Sequence, residues 1–539
     1  MSTGGIFTLI TNDGKQDRML MATQLLNTRL QQIQRMRTRN RVRDPTPTLV
    51  DIERTHILFM NAHFKPFAAI GYEYNKVQPQ SGTANFGSEI QFSIPQFGDF
   101  FNDMVVNVKI SEGDVAGTAP ANAWRWADKL GERLFQKVAF TVNGNPLDEY
   151  TSDVYKFHDD FFVTPNKRTG WNRCVGQQDC IKGSRQLDSG NVLPSAGAIP
   201  YVSGTIANLE QCVEFSNGLQ TPKKTHRAFE LWVPLIFWFN KDPRLSIPSV
   251  SIPYGQRFIT ITLAALDDCA RIGFNKADTF AASQSGAVVP FTTTPTITEA
   301  SLYINNIFVN PEIHDIFIKR IGFNLIRVHR IQTQRLTKAS DRVLLSSLKW
   351  PIETMYTGVR PLENVSGSSA AAVPNDTMGS WNKFSGVDPT RRVDIGGTGD
   401  VASFAPCYPT LDKTTISAHG IDIYKSFPHS FFNSYVPYNY GGHHINTPED
   451  CGSQMITFNF YPGSYQPSGH INISRAREFY YEYSASTVSV ARDAVGTSGA
   501  RAVAEDWIKS DQPADLIIVA VAINFLLISD GSAVLRYTT

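Results

Sequence analysis

The stretch ELWVPLIFWFNKDPRLSIPSVSIPYGQRFITITL, residues 230–263, decides the fold. At its end, RFITITL (257–263) sets Phe258, Thr260 and Thr262 against Ile259, Ile261 and Leu263. A period of two places successive side chains on opposite faces, so this is a half-buried strand. VPLIFWF (233–239) is apolar at every position, which predicts a central strand covered on both faces, inside a sheet sandwich or under a neighbouring subunit. A proline-rich loop separates the two.

The same period recurs on both sides. In DMVVNVKI (103–110), Met104, Val106, Val108 and Ile110 share one face, and Val105, Asn107 and Lys109 the other. Further candidate strands are IFIKRIGFNLIRVH (316–329), TTISAHGIDIY (414–424), MITFNFY (455–461), INISRAREFYYEY (471–483), 515–528 and AVLRYTT (533–539). The longest apolar run, LIIVAVAINFLLI (516–528), is too short for a membrane helix, which needs about 20 residues. Its Val and Ile content and the Asp530-Gly531 turn behind it predict a strand entering a hairpin. Long helical patterns are absent beyond the N-terminus. Many short strands with turns between them argue for sandwiches or barrels. PLIFWFNKDPRLSIPSVSI (234–252) and MITFNFYPGSYQPSGHINI (455–473) echo each other faintly, which fits two similar β domains in tandem. A chain of 539 residues exceeds the roughly 250–300 that a single core accommodates.

Net charge is only +1, but residues 1–43 carry Lys15 and seven arginines against Asp13 and Asp17. Residues 17–37 have Leu20, Met21, Leu25, Leu26, Leu30 and Ile33 at helical spacing, and DPTPT (44–48) stops the pattern. This is an arm, not core. Its cluster Arg29, Arg35, Arg37, Arg39, Arg41 and Arg43 contains no acid. It could dock on protein, on anionic lipid or on nucleic acid phosphates, or simply be solvated; no aromatics interleave to stack bases. Six cysteines without a CxxC pair are expected to be reduced thiols. The start MSTGGIFTLITNDG has no basic n-region, so no secretory leader is expected, and the sequons at Asn364, Asn375 and Asn472 should be unmodified.

Catalytic motifs are missing: there is no P-loop, GxGxxG, GxSxG, HExxH or EF-hand. His443-His444 in YGGHHINTPED (440–450) could suggest a metal, but adjacent residues of an extended chain point to opposite faces. FHDD (157–160) is read as a solvated acidic edge. No catalytic residue, metal or cofactor is expected. Residues 164–228, 265–297 and 360–413 are read as long surface loops. In SGHINISRAREF (468–479), a bulge or bend near Ala476 is expected, with Arg475 and Arg477 pairing carboxylates or carbonyls at a domain or subunit junction.

The strings 230–263, NAHFKPFAAIGYEYNKVQPQSGT (61–83), IPQFGDFFNDMV (94–105), FTVNGNPLDEYTSDV (140–154), LYINNIFVNPEIHDIFIKRIGFNLIRVHR (302–330), 468–479 and INFLLISDGSAVLRYTT (523–539) together resemble the major capsid proteins of large icosahedral double-stranded DNA viruses. The resemblance is nearest to those of African swine fever virus and of viruses of amoebae. The loops are shorter here, notably at 111–132 and 164–228, and His443-His444 does not fit the family pattern. The resemblance implies an all-β double jelly roll of two tandem eight-stranded sandwiches: an N-terminal arm at 1–52, a first roll at 53–280, a linker at 281–297 and a second roll at 298–539. It further implies a homotrimeric, pseudo-hexagonal capsomer that meets neighbouring capsomers in a virion shell. The arm would turn towards minor capsid proteins and an inner membrane. Folding would be assisted by a virus-encoded chaperone, with assembly in the host cytoplasm. A carbohydrate-binding jelly roll is the alternative, and the outer loops would meet a host receptor or glycan in either case. No specific nucleic acid is expected as a partner.

Overall fold

A computed structural model describes residues 15–39, 70–116, 124–177, 219–220, 224–252, 256–272, 291–311, 322–362, 381–387, 393–395, 402–404, 407–475, 478–491, 502–506, 508, 513–529 and 532–537. Alternation becomes strand at 103–110 and 257–263, whereas MITFNFY is strand only as far as Thr457 and AVLRYTT only as far as Leu535. Met104, Val106, Val108 and Ile110 are buried while Lys109 faces solvent, and Ile259, Ile261 and Leu263 are buried while Phe258, Thr260 and Thr262 are half-exposed.

In the first half the strands are β1 (Ile70–Val77), β2 (Glu89–Ser93), β3 (Phe100–Ile110), β4 (Phe135–Val142), β5 (Asn145–Thr151), β6 (Phe229–Pro234), β7 (Ile247–Pro248), β8 (Arg257–Leu263) and β9 (Ile297–Val309). One sheet runs β1-β9-β3, with β6 and β7 both along the far edge of β3; the other runs β2-β8-β4-β5. Side chains of the two sheets interlock, as where the Phe101 and Phe140 rings meet edge-on at 6.5 Å.

In the second half they are β10 (Gly322–Leu336), β11 (Ser340–Leu344), β12 (Pro351–Pro361), β13 (Leu411–Ala418), β14 (Ile421–Pro428), β15 (Gln454–Thr457), β16 (Ile471–Asn472), β17 (Phe479–Ala485), β18 (Ala514–Ser529) and β19 (Ser532–Leu535). The sheets are β10-β18-β12, with β15 and β16 along the far edge of β12 and β19 on β18, and β11-β17-β13-β14. Strand for strand this is the first order again, antiparallel throughout: a double jelly roll. The faint sequence echo is therefore structural. β6–β7 and β15–β16 are the same interrupted strand in the two rolls.

Several expectations need correction. VPLIFWF is not one strand. β6 ends at Pro234, and the chain turns into a short helix at Trp238–Lys241, where Asn240 Oδ1 accepts from Phe237 N at 3.0 Å. Leu235, Ile236, Phe237, Trp238 and Phe239 are buried within the chain's own core, so no neighbouring subunit is needed to cover them. TTISAHGIDIY is a hairpin, turned at His419-Gly420 where both residues have positive φ. The linker expected at 281–297, with the second roll from 298, falls too early: β9 pairs with β1 and β3, so the first roll's sheet includes the strand ending at Val309. Helices also lie beyond the arm, α2 (Ser152–Phe161) and α3 (Pro165–Val175), the latter inside the presumed loop 164–228. Residues 178–218, 273–290 and 363–380 of the three long loops lie outside the described residues. After β16 the chain makes a 3-10 turn at Ile473–Arg475 and resumes as strand at Phe479; the bend was expected at Ala476, itself outside the described residues. The arm forms helix α1 (Lys15–Arg39), with Leu25, Leu26, Leu30 and Ile33 exposed.

Candidate functional site: the seam between the two rolls

Helix α2 follows β5 directly and is wedged against the second roll. FHDD therefore does not form a solvated edge: Phe157, Asp159 and Asp160 are buried. Phe157 and Phe161 pack on Tyr356 of β12, with ring centroids 6.0 and 4.9 Å apart, and Phe157 packs on Phe384 at 5.3 Å. These apolar contacts exclude water and leave the helix's polar groups to find partners across the seam.

They do so in full. Asp160 accepts from Lys156 Nζ at 2.9 Å and from Ser453 Oγ, a residue 293 positions away, at 2.6 Å. Lys156 Nζ also lies 3.1 Å from Asp450 Oδ2. Asp450 in turn accepts the backbone N–H of Phe384 at 2.7 Å and of Gly452 at 2.9 Å. Gly452 is required there, because a Cβ would overlap the Phe384 carbonyl. FHDD, read as a solvated edge, and HHINTPED thus meet: Asn446 N donates to Phe161 O at 2.7 Å, and Arg168 of α3 pairs with Glu449. Elsewhere along the seam Arg360 Nη1 donates to Asp153 Oδ1 at 2.6 Å, and Trp381 Nε1 to Asp128 O at 2.6 Å. Asp148 accepts from His329 N at 2.9 Å and lies 3.0 Å from His329 Nδ1.

Buried charges survive only where every one is paired and hydrogen-bonded. Burial pushes the Asp160 carboxyl up to about 6, against the pull of Lys156. At Asp450 burial acts the same way but is outweighed by Lys156 and two backbone N–H groups, and its carboxyl sits below its ordinary value. Burial also opposes the Lys156 ammonium, yet the flanking Asp160 and Asp450 hold it above its usual range. Behind the seam, Glu132 is fully buried and is pushed up to about 8 by burial and then by Asp159; Trp171 Nε1 donates to it at 2.7 Å. A carboxyl of this kind is protonated at neutral pH.

The arrangement joins two sandwiches rigidly. Lys156, Asp160 and Asp450 are engaged with one another, as are Arg360 and Asp153. Among the described residues no cluster of His, Cys, Asp and Glu could hold a metal ion, and His443 and His444 are exposed. Arg29 and Arg35 are exposed on α1; the side chains of Arg37 and Arg39 lie outside the described residues, as do Arg41 and Arg43 altogether. Arg475 ends the 3-10 turn, but its side chain, like all of Arg477, is outside the described residues.

Comparison with known proteins agrees with this architecture. Residues 70–310 match the family description "Major capsid protein N-terminus", and residues 309–534 match "Large eukaryotic DNA virus major capsid protein". The boundary between the two matches falls where β9 ends the first roll. The major capsid protein of African swine fever virus is 34% identical over 671 aligned positions covering 100% of both chains. That of Paramecium bursaria Chlorella virus 1 is 22% identical over 74% of this chain and 76% of its own. Among solved structures, the Faustovirus major capsid protein superposes with a TM-score of 0.70 at 37% identity, covering 96% of this chain and 100% of its own. A Chlorella virus capsid structure shares the fold at a TM-score of 0.61 and 19% identity, covering 89% of this chain and 100% of its own. The chain belongs to the major capsid proteins of large eukaryotic DNA viruses.

Proposed function

We propose that the chain is the structural tile of an icosahedral shell: three copies form a pseudo-hexagonal capsomer, and capsomers pack edge to edge. The observation that carries this reading is the repetition of one strand order in two rolls fixed by a buried polar seam. Three copies of two like domains place six like domains around a threefold axis. A flat, rigid, nearly six-sided unit follows, and a rigid seam keeps the two rolls from hinging as tiles meet. The proposed role is structural, with no catalytic residue. Helix α1, with its exposed leucines and arginines, is the arm that would turn inward to minor capsid proteins on the membrane side. A virus-encoded chaperone and assembly in the host cytoplasm belong to the same reading. The loops at 164–228, 265–297 and 360–413 would carry any contact with a host receptor or glycan. Electron microscopy of the purified chain tests the proposal. Six-sided plates with threefold features are expected; separate two-lobed particles would contradict it.

A further inference from the structure

Buried cations in this chain are matched by carboxylates, with one exception. Lys129, Lys156, Arg257 and Arg360 are the buried lysines and arginines among the described residues. Lys129 Nζ lies 3.2 Å from Asp159 Oδ2, Lys156 Nζ lies between Asp160 and Asp450, and Arg360 Nη1 lies 2.6 Å from Asp153 Oδ1. Arg257 opens β8 at 4% exposure and forms no ion pair among the described residues. Its Nε and Nη1 are buried without an acceptor. Burial pushes the guanidinium pKa down, and no neighbouring acid opposes the shift. The Phe101 ring, 5.8 Å from Cζ, is a weaker counterpart than a carboxylate.

The fold does not call for a cation at this position. The Asn143-Gly144 turn of the first roll and the His419-Gly420 turn of the second match in their positive φ, 52° and 76° against 54° and 76°. In each, the first turn residue donates its backbone N–H to the residue just before the adjoining strand. Asn143 N donates to Gln256 O at 2.8 Å, and His419 N to Glu478 O at 3.0 Å. Val142 then pairs with Arg257, and Ala418 with Phe479. Arg257 of β8 therefore stands where Phe479 stands on β17. Phe479 is 1% exposed, so an apolar side chain fills this position in the second roll. A lone buried charge costs stability that an apolar residue of similar volume does not.

The position lies at one end of the first sandwich. Arg257 pairs with Val142 next to the turn, while on the facing sheet Phe101 pairs with Ile247 and Asn306. The chain enters β1 at Ile70 and leaves β9 at Val309 at this same end, where those two residues pair. Ser249, just beyond β7, is also fully buried, and its hydroxyl has no partner among the described residues. Its backbone N–H donates to Asp99 O at 2.8 Å, two residues before Phe101. Two orphaned donor groups thus share one end of the core. A guanidinium holds a carboxylate through two parallel N–H groups and balances its single charge. A phosphoryl group carries about −1.5 to −2 at neutral pH and calls for further cations. No second cation acts on Arg257.

We propose that Arg257 binds the carboxylate of an organic acid at the end of the first roll where β1 begins. The planar guanidinium takes both carboxylate oxygens, and the Ser249 hydroxyl supplies a further donor from the facing sheet. Binding turns an uncompensated buried charge into a neutral pair, so the ligand stabilises the folded chain that holds it. The second roll, with Phe479 at the matching position, has no such site.

Thermal unfolding of the purified full chain in sodium acetate tests this, with sodium chloride at equal ionic strength as the reference and Arg257→Met as the control. Methionine fills a similar space without the charge. The wild-type midpoint should rise with acetate, by roughly 3–6 °C at ten times the dissociation constant. Arg257→Met should begin no lower than the wild type in chloride and gain nothing further in acetate. Should methionine not be tolerated, Arg257→Lys keeps the cation but loses the fork, and it should need several-fold more acetate for the same rise. Equal acetate responses in the wild type and the variants overturn the site. An Arg257-dependent rise in phosphate that equals or exceeds the rise in acetate overturns the carboxylate as its ligand.

Discussion

Lys156→Met is the sharpest probe of the seam. Methionine keeps an unbranched stem that can fill the same space and removes the ammonium. The two carboxylates it bridges, Asp160 and Asp450, lie 2.9 and 3.1 Å from Nζ, with side chains 7% and 6% exposed. Without the cation both are buried beside each other with no opposing charge, which costs about 3–5 kcal/mol. For a unit of this size that lowers the thermal midpoint by roughly 6–20 °C. The penalty depends on pH in a fixed direction. The Asp160 carboxyl already titrates near 6 with the ammonium present, and losing it moves that value further up. A carboxyl whose folded pKa is raised destabilises most above that pKa, and the loss fades as pH falls through it. Urea unfolding of variant and wild type at pH 7.5 and pH 5 reads both effects. The midpoint should fall clearly at pH 7.5 and less at pH 5, and adding Asp160→Asn should recover part of the loss. A cost under about 1 kcal/mol at pH 7.5, or an equal cost at both pH values, would refute the seam as a buried, charge-balanced joint.

Other outcomes follow from the same geometry. Glu132 is held protonated, with a folded pKa of about 8 above its ordinary 4.5, so the wild type should lose stability as pH rises from about 4.5 through 8. Glu132→Gln should gain on the wild type across that window by a few kcal/mol at most; parallel stability–pH curves would contradict this. Trp238→Asp places a charge in the core beside Phe140 and Phe239 and should abolish soluble folded protein; wild-type yield would show that Trp238 is not buried. Deleting residues 1–43 should leave trimers intact and impair shell assembly, as read from sedimentation of assembly mixtures; loss of the trimer would contradict the arm assignment.

The strands were legible wherever one face is buried and the other wet, because alternation then has a single explanation. That is why 103–110 and 257–263 could be read residue by residue. VPLIFWF was not, since a segment apolar at every position can be a two-sided strand or a buried turn, and here only its first residues pair. TTISAHGIDIY hid its hairpin because His419 is an uncommon residue in a positive-φ turn. The domain boundary was misplaced because β9 returns to β1 across more than 200 positions, a pairing that local pattern cannot reveal. The seam was illegible for the same reason. Asp153 and Arg360 are 207 positions apart, and FHDD alone carries the composition of an exposed acidic edge. The one available signal was that FHDD is an acidic stretch set among aromatic residues, Tyr155, Phe161 and Phe162, where charge needs a partner.

The central claim is that this chain forms a ring of three. Native mass measurement of the purified wild-type protein tests it most directly. One species at three times the 59.9 kDa of the chain, stable on dilution, is expected. A single species at the mass of one chain or of two would contradict it.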